Sequence, residues 1–295
     1  VGRLLSPDHF AKTRTASSRI FLEMKNAAVT AGAFAVLAGL AGSARGAEPP
    51  RSRAGALVEK IRHADYAGDR AALAQLRAEL APFASDPQIG SRVSYWQGFA
   101  LWRRAFNGFN ETPWPSDLED DLSAAVADFD AALARDARFV DAQVGAISCL
   151  SNIGFLHRKD PAAFRTLLER IRPRIDAVRD IDPDNPRFLW VMGANKWYAP
   201  PERGGGQEPA IAMYEKGLGE ARRRPTPPNP LEPAWGEPEL LMNLAWANLN
   251  KSAPDVAAAE RYAESALKLV PYWHYMRDIL IVQIRAAKET RPPQS

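Results

Sequence analysis

Two short stretches hold residues that could do chemistry. The first is WYAPPERGGGQEPAIAMYEKGL, residues 197–218, in which an arginine and three consecutive glycines precede a helix-like run. Free backbone N–H groups at the start of a helix hold anions. Arg203, Gly204, Gly205 and Gly206 therefore form a candidate anion site. A phosphate loop proper follows a strand and carries Lys-Ser/Thr or spaced glycines. Here Pro200 and Pro201 stop a preceding helix and Pro209 sits in the first turn of the next, so a lengthened turn between two helices is the competing reading. The second stretch is VPYWHYMRDILIVQI, residues 270–284. There, His274, Arg277 and Asp278 could act on a ligand, or Tyr272, Trp273 and Tyr275 could seal the end of a helical array.

Other reactive patterns are missing. The histidines beyond residue 47 are His63, His157 and His274, in no HExxH spacing, and the chain has no GxSxG and no Gly-rich loop ending in Lys-Ser/Thr. Cys149 is the single cysteine and sits mid-helix among apolar residues, the setting of an inert structural thiol. The run Asp180–Asn185, DIDPDN, begins like a calcium loop, but the sixth and twelfth positions are Asn185 and Val191 where Gly and an acid are needed. DLEDDL, residues 117–122, reads as the acidic first turn of a helix. No catalytic residue, metal site or cofactor is expected.

What must position these residues is helical throughout. From AGALVEKIRHADYAG and DRAALAQLRAELAPF onward, apolar residues recur at three- and four-residue spacing, over 88–107, 117–136, 138–157, 160–181, 186–199, 207–223, 237–250, 255–269 and 272–288. Cap and turn residues part the segments at SDP (85–87), RKDP (158–161), DPDNP (182–186), SAPD (252–255) and VPYW (270–273). The expected fold is all-α, a superhelical array of about ten or eleven helices in antiparallel pairs, forming one domain over 48–290.

The N-terminal segment reads differently. From Met24 the chain runs MKNAAVTAGAFAVLAGLAGSARGAEPP, with Lys25 ahead of an apolar run and small residues after it. That is the form of a cleavable signal peptide over 24–47, cut between Ala44 and Glu48. Residues 1–23 read as a non-structural upstream segment and 291–295 as a disordered tail. The protein is thus expected to be exported, periplasmic or secreted, with no membrane span in the mature chain. Residues 1–47 hold six of the 38 Lys and Arg but only two of the 35 Asp and Glu. The formal charge of +3 therefore belongs to the leader, and nothing favours nucleic acid as a partner.

The spacing of small and aromatic residues repeats. Ala125, Phe129, Ala132 and Ala137 recur as Ala210, Tyr214 and Gly217, and more loosely as Ala259, Ala263, Ala266 and Pro271. In the preceding helices, Gly98, Gly193 (after Leu189 and Met192) and Ala245 hold the small position, while Ile147 departs from it. This resembles a degenerate tetratricopeptide (TPR) array. The resemblance implies a concave groove lined by Arg92, Tyr95, Phe99, Trp102 and Arg103, then Arg187, Trp190, Ala194, Trp197 and Tyr198, then Glu239, Met242 and Trp246. The same rings could instead fill the interior of a tightly wound array. An insert, NGFNETPWPSD (107–117), carries Trp114 between two prolines and reads as a lid or a plain loop.

The expected function is a non-enzymatic exported protein that binds a protein or peptide partner in that groove. The alternatives are a small-ligand-binding accessory of an envelope transport system, and an enzyme with its site near His274, Arg277 and Asp278. An open groove favours the first, a closed aromatic-lined cavity the second.

Overall fold

The computed structural model describes residues 49–289. The expected upstream segment, the expected signal peptide with its cleavage point and the expected C-terminal tail lie outside the described residues. Within them the chain forms α1 (Pro50–Ala67), α2 (Arg70–Leu80), α3 (Gly90–Asn107), α4 (Leu118–Arg135), α5 (Val140–Leu156), α6 (Pro161–Ile181), α7 (Pro186–Tyr198), α8 (Gln207–Arg223), α9 (Glu237–Asn250), α10 (Val256–Leu269) and α11 (Ile281–Glu289). No strand occurs among the described residues, and no helix there is long and apolar enough to cross a membrane. The expected all-α array of paired helices is the observed fold.

The local signals do the work expected of them. Asp69, Asp160, Asn185 and Asp255 each cap a helix, their side chains accepting backbone N–H groups from its first turn. Asn185 and Asp182 in DIDPDN are thereby accounted for, since Asp182 also pairs with Arg224. The acids of DLEDDL open α4, with Asp121 and Asp117 paired to Arg104. One helix differs from expectation. The segment read as continuous over 272–288 begins as a π-helical turn, Tyr275–Leu280. The wider turn takes in an extra residue, keeping Met276 and Leu280 buried while Arg277 and Asp278 face solvent.

Successive helices pack on one another at every step but α6 to α7, and the odd-numbered helices also touch one another in series: α1 on α3, α3 on α5, α5 on α7, α7 on α9. They form an inner row and the even-numbered helices an outer one. Position in the row explains the sequence of each helix. Inner α5 is buried nearly all round, whereas outer α8 and α10 bury one stripe.

Small residues set how closely the rows approach. A Cβ added to Gly193 of α7 would lie 2.3 Å from the Tyr214 ring of α8, and one on Gly98 of α3 would lie 3.0 Å from Phe129 of α4. The ring of one helix thus occupies the space left by the glycine of its partner. Gly193→Ala is expected to cost about 1–3 kcal/mol by overpacking. Gly219, in α8 with nothing near its Cβ direction, is the control, and Gly219→Ala should be neutral or stabilising by about 0.4–1 kcal/mol. Urea unfolding of the two variants tests this, and equal stability would show that the close approach carries no energy.

Candidate functional site

The inner row alone would leave an open concave groove. The connection between α8 and α9, residues 224–236, fills much of it. Prolines at 225, 227, 228, 230 and 233 favour an extended course, and alternate residues Leu231, Pro233 and Trp235 turn inward and are buried. Pro230 lies against Gly55 of α1. The Leu231 carbonyl accepts from Trp96 Nε1 at 2.8 Å. Trp235 ends the plug. Its ring meets Phe99 at 5.4 Å, Trp102 at 5.7 Å and Trp190 at 5.7 Å between centroids, and its Nε1 donates to Tyr95 Oη at 2.8 Å.

This arrangement divides the residues expected in the groove. Tyr95, Phe99 and Trp102 are buried beneath Trp235. Arg187 is tied to Asp141 and to the Trp235 carbonyl, and Arg92 to Asp136 and Glu232. Trp197 and Trp246 face each other at 5.1 Å, away from the remaining opening, and Tyr198 beside them is half-buried. Glu239 is buried, accepting from Tyr66 Oη at 2.7 Å and from Gly236 N at 3.0 Å. Only Arg103, Trp190, Ala194 and Met242 reach the open part of the concave face.

That open part is a cleft of about 1200 Å³, its mouth included. Phe106, Phe155, Leu156, Trp190, Trp273 and Met242 supply apolar walls; Ser148, Ser151, Asn152, Asn195 and Asn243 supply uncharged polar groups. The α5 face was missed because that helix departs from the repeat pattern. Its signal was legible all the same: Ser148, Ser151, Asn152 and Phe155 stand at helical spacing in an otherwise apolar segment. Burial raises the pKa of the Tyr275 hydroxyl, at the cleft edge.

The insert carrying Trp114 borders the mouth. Arg70 holds it at two points, mid-insert at Glu111 (3.2 Å) and at its end at Asp117 (2.6 Å), and Pro115 is packed beside Gly108. Trp114 stays 51% exposed: its backbone is pinned and its ring stands in solvent over the cleft.

No family model and no curated protein matches the chain. Among solved structures, the HusA haemophore from Porphyromonas gingivalis is similar, with a TM-score of 0.53 at 17% identity, over 68% of this chain and 96% of that chain. At that identity the likeness is one of fold.

The other expected clusters come out as follows. The glycine loop has no amide to offer an anion: Gly204 N donates to Pro201 O, Gly205 N to Pro200 O and Gly206 N to Lys196 O. Lys196 Nζ caps the turn on the Gly204 carbonyl at 2.7 Å, and Arg203 points to solvent. The anion site is therefore corrected to a closed turn, with Gly204 and Gly206 at positive φ. His274 Nδ1 meets Asp278 Oδ2 at 2.7 Å on the surface. Arg277 and then His274 hold the Asp278 carboxyl down to about 2. His274 thus has its acid but lies outside the cleft. Cys149 is fully buried, which pushes its thiol pKa up. Among the described residues no group of three His, Cys, Asp or Glu could hold a metal.

Proposed function

We propose that this chain is a non-enzymatic exported binding protein on a TPR-like scaffold, whose concave cleft holds one flat, largely apolar small molecule. The observation that carries this is the plug. With residues 224–236 seated against α1, α3 and α7, an aromatic-walled cleft is what stays open of the expected groove. A protein partner at the rim, rather than in the groove, would be compatible with the same fold.

Haem is the first ligand to test, since the structurally similar HusA is a haemophore. The cleft suits a flat ring system through Trp190, Phe106 and Phe155. Of its lining residues, Met242 and Tyr275 carry a thioether and a phenol, side-chain types that ligate haem iron, and none is histidine or cysteine. Titration of the full chain with haem, followed by absorbance and tryptophan quenching, should saturate at one equivalent. No saturable change would remove haem, and failure of flat hydrophobic dyes as well would remove the small-ligand reading.

Trp114→Ala is expected to weaken haem binding about five- to tenfold, the loss of one aromatic stack of roughly 1–1.5 kcal/mol. Its Tm should not move, since the ring is exposed. Unchanged affinity would reduce the insert to an ordinary loop.

A further inference from the structure

We infer that the ligand meets the floor of the cleft with an uncharged hydrogen-bond acceptor, held by the terminal nitrogens of Arg103, and keeps any ionised group at the mouth. The inference rests on the small-ligand reading of the cleft.

Arg103 is 6% exposed and is the single charged side chain among the cleft-lining residues. Its Nε donates to both oxygens of Asp65, each at 2.8 Å, and Asn107 steadies Asp65 from the other side. The guanidinium also lies 5.9 Å from the ring centroids of Phe99 and Trp190. The side chain is thus fixed, yet Nη1 and Nη2 donate to no described residue. A guanidinium has five N–H donors and no acceptor. Nη1 and Nη2 are not sealed from solvent, so an oxygen acceptor entering the cleft would take the place of water on them.

Charge decides which kind of oxygen. Asp65 already balances Arg103. Glu239 adds a second carboxyl within electrostatic reach of the same guanidinium. Burial raises the Glu239 pKa, opposed by Arg103 and by the Tyr66 and Gly236 donors that its two oxygens accept from. A ligand carboxylate at the floor would be desolvated, and beside a cation that Asp65 already neutralises. A carbonyl, amide or ester oxygen suffers neither penalty. The neighbouring wall is matched to it: Ser148, Ser151 and Asn152 are uncharged, and Asn243 is wholly buried with both amide atoms unpartnered, the Tyr214 hydroxyl beside it but outside bonding geometry.

The test compares haem with its dimethyl ester on the full chain, in wild type and in the Asp65→Asn/Arg103→Gln double variant, which removes both charges without stranding either. Haem carries an uncharged oxygen acceptor only as its ester, so the ester should bind wild type about tenfold tighter than the free acid, and the double variant should abolish that difference. The acid binding tenfold tighter than the ester would overturn the inference, because Arg103 would then be holding a carboxylate. So would a folded double variant that binds both probes like wild type. If the double variant does not fold, the acid-to-ester ratio in wild type decides alone. Binding of neither probe would overturn haem-type binding itself, and the inference with it.

Discussion

Trp235→Ala should lower the unfolding free energy by about 3–5 kcal/mol, the cost of emptying a large buried aromatic site, and drop Tm by roughly 10 °C for a domain of this size. The residue is 3% exposed. Its ring is held by Phe99, Trp102 and Trp190; its Nε1 is the donor that Tyr95 Oη accepts. The loop then keeps the Leu231 carbonyl on Trp96, Pro230 against Gly55 and Glu232 on Arg92 but loses its innermost ring, so its end at residue 235 should loosen. Denaturant unfolding gives the energy, and proteolysis between residues 224 and 236 reports the loosening. A loss under about 1 kcal/mol, with the loop still protected, would mean the plug is passive cover. Trp114→Ala is the natural comparison: the same truncation at an exposed ring should leave stability within about 0.5 kcal/mol.

The second large effect concerns charge. Asp141→Ala should cost about 3–5 kcal/mol, because it strands a buried guanidinium. Arg187 of α7 donates through Nε and Nη2 to Asp141 of α5, and through Nη1 to the Trp235 carbonyl at 2.9 Å. One side chain thus ties two inner helices to the plug. Replacing the pair together, Asp141→Leu with Arg187→Met, should restore much of the loss, since no charge is left unpaired. The Trp235 carbonyl would still lack its donor, a residual cost of about 1 kcal/mol. A double variant no more stable than Asp141→Ala would show that the damage comes from packing and not from the unpaired charge.

Much of the architecture was legible residue by residue. Helix period, caps at Asp160, Asn185 and Asp255, and the pairing of Gly193 with Tyr214 are local or near-local facts. They depend on neighbours three, four or about twenty residues away. The glycine loop was half-legible: its prolines announced a turn between helices, but whether its amides were free depended on the backbone carbonyls that the turn brought back to them.

The aromatic stripe was legible as a stripe and no further. Tyr95, Phe99, Trp102, Trp190 and Trp246 have the same spacing whether they line a groove or fill a core, because periodicity records which face of a helix is apolar and not what covers it. What covers Tyr95, Phe99 and Trp102 is Trp235, about 140 residues along the chain from Tyr95. The seat of that plug, the split of the groove into core and cleft, and the pairing of Arg103 with Asp65 are contacts between distant segments, which no local pattern encodes. By itself the sequence determined an all-α array of paired helices with close small-to-aromatic contacts. Only the tertiary structure decided that its concave face is closed down to a pocket with an uncharged wall and one half-satisfied arginine.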